Sequence, residues 1–146
     1  MALISSFGPG ISRRRFLAGL ALPSLRLIGA RDSTTKPLRG IFPIAQTPFT
    51  EADRLDVDTL VEELRFIDRG RVPGFVWPQL ASEWAALRES ERLEGGEALA
   101  AEARKLRTAL VLGVQAPDTA TAVRYARHAR KVGADAIISL PPSRQA

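Results

Sequence analysis

The sequence predicts an α/β domain in which about four parallel strands alternate with three helices. Short apolar runs, typical of strands buried on both faces, begin near residues 40, 74, 109 and 136. The segments between them carry apolar residues three and four positions apart, as amphipathic helices do. Strands that recur about every 30 residues with a helix between them are joined by right-handed crossovers, which make neighbouring strands parallel.

The first predicted strand covers residues 39–46, and a Thr-Pro-Phe turn ends it. Asp56 is the expected N-cap of the first helix, and Gly70 is its expected end. Apolar residues repeat between these two positions at helical spacing: Val57, Leu60, Val61, Leu64 and Ile67. The pattern therefore predicts a helix that packs one face on the sheet.

Two further strand-and-helix units follow the first. Residues 74–77 form the second predicted strand, and a long loop leads from it to a helix capped by Ser90 that runs to Leu106. The third strand covers residues 109–113, and the third helix lies between Asp118 and Gly133. A fourth strand is predicted at residues 136–140. An open doubly wound sheet is the rival architecture, and it ranks second because the chain has no glycine-rich phosphate-binding turn.

The N-terminus has the features of an export signal. Three consecutive arginines, Arg13 to Arg15, precede Phe16, Leu17 and an apolar stretch that is too short to span a bilayer. This pattern resembles a bacterial twin-arginine signal. We therefore expect residues 1–30 to direct export to the periplasm or beyond, without a stable membrane span, and residues 31–38 to form a linker. A basic amphipathic helix is the alternative.

Charge and composition exclude several classes of function. The formal net charge is +5, but residues 1–30 carry four arginines and no acid, so the excess lies in the leader. The remainder is nearly balanced, and we expect no binding to nucleic acid. The absence of cysteine excludes disulfides and thiolate catalysis. The single histidine, His128, is predicted at the surface, and no cluster with metal-ligand spacing accompanies it.

Three groups of residues, in order along the chain, resemble one known family. They are Gly40-Ile41-Phe42-Pro43-Ile44-Ala45-Gln46-Thr47-Pro48-Phe49, then Glu83 with Leu87, Glu91 and Arg92, then Gly133-Ala134-Asp135-Ala136 running into Pro141-Pro142. Together they resemble the first half of the dihydrodipicolinate synthase / N-acetylneuraminate lyase family, whose members are (β/α)8 barrels that handle pyruvate through a Schiff base on a lysine. The resemblance implies that residues 39–146 are the N-terminal half of a TIM barrel, since a complete barrel needs about 250 residues.

The resemblance also implies a site at the carboxyl ends of the strands, where barrels of this kind carry their chemistry. Thr47 is the candidate catalytic residue, although an ordinary strand-end turn explains it equally well. The family's Gly-Thr-Thr-Gly-Glu segment, which binds the substrate carboxylate, aligns with a different sequence here: Gln79, Leu80, Ala81, Ser82 and Glu83. Glu83 is retained, but Leu80 and Ala81 have no hydroxyl to donate. We take residues 79–83 as the substrate-binding segment.

Two other family features are changed or missing. The position of the family's proton-relaying tyrosine holds Pro142, with Ser143 as a weak substitute. The Schiff-base lysine has no counterpart, because all three lysines are predicted to be solvated surface residues: Lys36, Lys105 and Lys131. The resemblance implies neither a cofactor nor a metal.

The sequence therefore predicts a truncated member of this lyase and aldolase family, with Schiff-base chemistry on pyruvate or another 2-oxo acid that this chain alone does not perform. The alternative is a non-catalytic βα binding or partner domain. A half-barrel leaves unpaired sheet edges, so we also expect a homo-oligomer or association along the open edge.

Overall fold

The computed structural model describes residues 36–140. The predicted export signal at residues 1–30, most of the predicted linker and residues 141–143 lie outside the described part. The helices are α1 (Val57–Arg69), α2 (Glu89–Ala103) and α3 (Thr119–Val132), and the strands are β1 (Gly74–Trp77), β2 (Ala109–Gly113) and β3 (Ala136–Ile138). The strands form one parallel sheet in the order β1-β2-β3, which confirms the predicted α/β class.

The first predicted strand, residues 39–46, is attached to β1 by a single bridge. We call it the edge segment. The Ala45 N–H donates to the carbonyl oxygen of Val76 at 3.0 Å, and the Val76 N–H donates to that of Pro43 at 3.0 Å. The next N–H donors along this parallel ladder would be the nitrogens of Pro43 and Pro78, which carry no hydrogen. The sheet therefore has three regular strands and a bridged edge segment, rather than four strands.

The predicted helix ends are confirmed for α1 and α3. The side chains of Asp56 and Asp118 accept from backbone N–H groups three residues on, at 3.0 Å and 2.8 Å. Gly133 ends α3 at a φ of +83°, in the left-handed region that glycine adopts easily. The predicted cap of α2 was wrong, because the helix already begins at Glu89 and Ser90 lies inside it.

The core lies between the sheet and the three helices. Every residue of β1 and β2 is buried, as expected for central parallel strands. The core cluster includes residues from each layer: Leu60, Leu64, Phe75, Trp77, Leu99, Ala100, Ala103, Leu110, Leu112 and Ala129. At the two sides of the sheet the burial is incomplete, because Ile41 of the edge segment is 75% exposed and Ile137 of β3 is 51% exposed.

Lys36 is tied to the sheet, so its prediction as a solvated surface lysine was wrong. Its Nζ donates to the carbonyl oxygens of Ala103 at 2.6 Å and Thr108 at 2.8 Å, and it lies 3.5 Å from the Asp135 carboxylate. Ala103 ends α2, where a cation is favourable, while Thr108 and Asp135 precede β2 and β3. The amine therefore lies at the amino ends of the strands.

Between residues 36 and 140, none of the helices has the length and apolar character needed to cross a membrane.

Two adjacent buried glycines of α2 provide a matched test of the packing between this helix and β1. A Cβ on Gly95 would lie 2.6 Å from the buried Trp77 ring, whereas a Cβ on Gly96 would make ordinary contacts of 3.5 Å or more. Alanine favours a helix by about 1 kcal/mol over glycine, but overpacking costs about 1–3 kcal/mol. We expect Gly95→Ala to lower the free energy of unfolding and Gly96→Ala to leave it unchanged or raise it, as measured by urea denaturation. Equal effects of the two substitutions would contradict the described packing.

Candidate functional site

Thr47 and the 79–83 segment meet at the carboxyl ends of the edge segment and β1. The Thr47 hydroxyl donates to the Ser82 carbonyl oxygen at 2.5 Å and accepts from the Trp77 indole N–H at 3.0 Å. The structure thus brings the candidate catalytic residue into contact with the candidate binding segment. Both are intramolecular hydrogen bonds, and they hold the threonine side chain in one orientation.

Ser82 fastens the segment to the interior. Its side chain is fully buried, and its hydroxyl donates to the Ala45 carbonyl oxygen at 2.5 Å. That carbonyl is the one that a backbone N–H at position 78 would reach if the parallel ladder continued. Because residue 78 is a proline, the ladder lacks this donor, and the Ser82 hydroxyl supplies it.

The 79–83 segment is a compact loop built from a short 3₁₀ turn. The turn covers Leu80–Ser82, and a second turn, Trp84–Ala86, follows it. Glu83 lies between the turns at a φ of +52°, in the left-handed region that is unusual for a residue other than glycine. Gln79 is buried and its side-chain oxygen accepts from the Leu80 N–H at 2.5 Å, whereas the Leu80 side chain is 64% exposed.

The carboxyl end of β2 is joined to the same loop through Gln115. Its side-chain nitrogen donates to the Pro78 carbonyl oxygen at 2.9 Å, and the side chain is buried. The two strand ends approach so closely that a Cβ on Gly113 would lie 1.8 Å from that oxygen. Only glycine fits at this position.

Arg92 stabilises this junction from α2. Its guanidinium donates to the carbonyl oxygens of Gly113 at 2.7 Å and Gln115 at 2.9 Å. It also lies over the ring of Tyr125, 4.0 Å from the centroid, and 5.7 Å from that of Trp84. Burial lowers the pKa of Arg92 from its ordinary value. Because two of its N–H groups are bonded to backbone oxygens, the side chain positions the end of β2.

His128, predicted at the surface, lies beside this junction and is half-buried. It lines a small cavity with Arg92, Gly96 and Tyr125. Its Nε2 is buried and has no hydrogen-bond partner among residues 36–140.

Glu91 connects the start of α2 to the turn before α1. Its carboxylate accepts from the Arg54 side chain at 2.7 Å, from the Arg88 N–H at 3.0 Å and from the Leu55 N–H at 3.3 Å. These bonds, with that from Arg54 the strongest, lower the pKa of Glu91 to about 2. Glu91 therefore holds the first residues of α2, and with them Arg92, in place.

A larger open depression lies between α1 and the end of the edge segment. Its volume is about 440 Å³. It is lined by Gln46 of the edge segment, Pro48 of the turn that follows, and five residues of α1: Thr59, Glu62, Glu63, Phe66 and Arg69. Burial raises the pKa of Glu63, which accepts from the Gln46 N–H at 3.2 Å. None of the predicted site residues lines this depression.

In the part of the chain that the structure describes, no group of three or more histidine, aspartate or glutamate side chains could hold a metal ion.

Sequence reasoning proposed Thr47 and the 79–83 segment as site residues but did not predict the contacts of Gln115 and Arg92. The available signal was the position of Gln115, a polar residue two positions beyond the buried strand β2. The contacts of Arg92 join four separate elements, which no local pattern reveals.

Comparison with known proteins gives one consistent result. Residues 37–143 match the model of the dihydrodipicolinate synthetase family. The 4-hydroxy-tetrahydrodipicolinate synthase of Methanococcoides burtonii is 31% identical over 103 residues, which cover 70% of this chain and 34% of that protein. This chain therefore spans about a third of the length of the curated relatives it matches.

Two solved structures resemble the fold. The dihydrodipicolinate synthase of Agrobacterium tumefaciens superposes with a TM-score of 0.67 at 29% identity, covering 73% of this chain and 36% of that one. The N-acetylneuraminate lyase of Mycoplasma synoviae gives a TM-score of 0.68 at 22% identity, covering 74% and 37%. The second likeness concerns the fold alone. The described residues form part of a (β/α)8 barrel, as the sequence predicted.

Replacing the buried Ser82 hydroxyl tests its part in the loop. Ser82→Ala leaves the Ala45 carbonyl oxygen buried without a donor, and a buried unsatisfied group costs about 1–3 kcal/mol. We expect that loss in the free energy of unfolding by urea denaturation, whereas Ser90→Ala, at an exposed position of α2, has a much smaller effect. Equal values for both variants would show that the Ser82 bond does not hold the loop.

The lowered pKa of Glu91 predicts how stability depends on pH. Since the pKa is about 2 in the folded chain and 4.5 ordinarily, the contribution is complete above about pH 4.5 and is lost as the pH falls toward 2. Glu102, whose pKa is lowered to about 2 chiefly by Arg65, titrates over the same range. We expect Glu91→Gln to lower stability at pH 7 and to make its loss between pH 4.5 and 2 shallower. Glu94→Gln, exposed on the same helix, is the control, and parallel curves for Glu91→Gln and the unmodified chain would contradict the assignment.

Proposed function

Because the chain belongs to the dihydrodipicolinate synthetase family, we propose that it supplies part of the active site of a lyase or aldolase that forms a Schiff base with a small 2-oxo acid. The contact between Thr47 and the 79–83 loop carries this proposal. It joins two strand ends at the place where barrels of this kind bind their substrates. The name of the Methanococcoides relative, a synthase, agrees with this class of reaction.

The role of this chain in the reaction is to bind and orient the substrate. Thr47, held by Ser82 and Trp77, lies at the carboxyl ends, and the 79–83 loop forms the adjoining wall. A Schiff base needs an amine at the same end of the sheet, but Lys36 lies at the amino ends. Lys105 pairs with Glu102 after α2, and Lys131 is exposed near the end of α3. The reactive amine therefore comes from outside residues 36–140.

A non-catalytic binding or partner domain is the second candidate. The observation that favours it is the exposure of apolar side chains along both sides of the sheet, on the edge segment and on β3: Ile41, Ile44 and Ile137. Such sides pair readily with further strands. In this alternative the chain forms a homo-oligomer or joins another polypeptide along these edges.

We also propose that the chain is exported by the twin-arginine pathway. The support is the arginine run at residues 13–15, followed by Phe16, Leu17 and a short apolar stretch. Replacing Arg13, Arg14 and Arg15 together by lysine is expected to retain a fused reporter in the cytoplasm, while the unmodified leader exports it. Equal export of both fusions would contradict this pathway.

Borohydride trapping tests the proposed chemistry. This chain, and the longest polypeptide that its gene encodes, are incubated with pyruvate and borohydride and then examined by intact mass. We expect a reduced pyruvyl adduct on the longer polypeptide and none on this chain, because its three lysines lie away from the carboxyl ends of the strands. In the longer polypeptide, Thr47→Val is expected to slow trapping at least about tenfold, whereas the control Thr119→Val, at the exposed start of α3, leaves the rate unchanged.

Two results would contradict the proposal. An adduct on this chain as well would place a reactive amine on Lys36, Lys105, Lys131 or the N-terminal amino group. If neither polypeptide forms an adduct, the non-catalytic alternative is favoured.

A further inference from the structure

We infer that the 79–83 loop receives an uncharged, apolar part of the ligand and not its carboxylate. This inference rests on the proposed function, because it takes the carboxyl ends of the strands as the ligand site. Its basis is a count of the hydrogen-bond donors and charges that the loop and its neighbours have left to offer.

The two hydroxyls at the site are already used. A hydroxyl has one proton to donate. That of Thr47 goes to the Ser82 carbonyl oxygen, and that of Ser82 goes to the Ala45 carbonyl oxygen, each at 2.5 Å. Either could bind a carboxylate only by leaving a protein carbonyl without its donor, which costs free energy.

Three of the loop's backbone N–H groups are also engaged. The Leu80 N–H donates to the Gln79 side chain, the Ser82 N–H to the Gln79 carbonyl oxygen at 2.9 Å, and the Glu83 N–H to that of Leu80 at 3.1 Å. The nearby Trp77 indole N–H is bonded to Thr47, and the guanidinium of Arg92 is bonded to strand-end carbonyls. Of the loop's own donors, the Gln79 and Ala81 N–H groups and the Gln79 side-chain nitrogen remain without a bond in the described residues. None of residues 79–83 carries a positive charge that could pair with an anion.

The surface that the loop presents to solvent is apolar beside a negative charge. Leu80 is 64% exposed and Ala81 is exposed next to it. Glu83 is exposed too, and its carboxylate forms no ion pair with the residues that the structure describes. A ligand carboxylate here would lose water, gain few hydrogen bonds and approach a like charge. An apolar substituent would instead cover the Leu80 side chain.

The ligand class that fits is a carbonyl compound with an apolar substituent facing this loop. If that compound is a 2-oxo acid, its carboxylate lies toward another wall of the site. Leu80 and Ala81 are then specificity-determining residues, because they occupy the exposed part of the wall without offering a polar group.

A matched pair of ligands tests the inference directly. Pyruvate and 3-methylbutan-2-one share the acetyl group, but one carries a carboxylate where the other carries an isopropyl group. Each is titrated into the isotope-labelled chain, and the amide and methyl resonances of residues 79–83 are followed by NMR. We expect the ketone to shift these resonances with a dissociation constant at least about tenfold lower than that of pyruvate.

The double variant Leu80→Thr with Ala81→Thr tests the cause of the preference. Both positions are exposed, so we expect the fold to persist, as the dispersion of the other resonances would show. Two new hydroxyls should strengthen pyruvate binding about tenfold or more, since a hydrogen bond to a charged group contributes about 1.5–3 kcal/mol. Ala85→Thr, which adds a hydroxyl at an exposed position of the following turn, is the control and should leave both affinities unchanged.

The outcomes separate the inference from the proposed function. Tighter binding of pyruvate than of the ketone at the loop of the unmodified chain would overturn the inference and leave the proposed function standing. If neither ligand shifts any resonance at the carboxyl ends of the strands, in the unmodified chain or in the double variant, the inference and the proposed function are both overturned.

Discussion

The site depends on how the protein compensates for the missing N–H of Pro78. Proline at the end of β1 removes the donor that would continue the parallel ladder to the edge segment. The Ser82 hydroxyl takes its place at the Ala45 carbonyl, and the Gln115 side chain bonds the Pro78 carbonyl. Side chains, rather than a backbone ladder, thus fasten the 79–83 loop to both neighbouring strand ends.

This arrangement gives structural duties to residues that a sequence comparison would assign to ligand binding. Thr47 and Ser82 satisfy carbonyl groups of the protein, and buried Arg92 does the same for the end of β2. The outer surface of the loop, where Leu80 is exposed, has no such structural duty. Family membership and the local chemistry of this chain therefore carry different information, and both are needed to describe the site.

The sequence predicted the elements that local patterns specify. The bounds of β1 and β2 and the caps at Asp56, Asp118 and Gly133 agree with the structure, because apolar runs and capping residues act over a few positions. Residues 39–46 were predicted as a full strand, but they form only one bridge to β1. The next hydrogen bonds of the ladder would need N–H groups on Pro43 and Pro78, which proline lacks. Lys36 was wrongly predicted because its partners lie at least 67 residues away along the chain. The contact of Thr47 with the loop could be predicted, because the sites of such barrels lie at the carboxyl ends of the strands. The hydrogen bonds that occupy the Thr47 hydroxyl could not be predicted.

The anchoring of Lys36 connects the beginning of the described chain to elements far along the sequence. Its ammonium group lies against the end of α2 and the residues that precede β2 and β3, so the contacts of one side chain span nearly the whole described sequence. Each of these contacts closes a long loop, and the entropic cost of closing a loop grows only slowly with its length. One ammonium group therefore joins the end of α2 to the starts of β2 and β3, so that a change at residue 36 affects three elements at the amino ends of the strands.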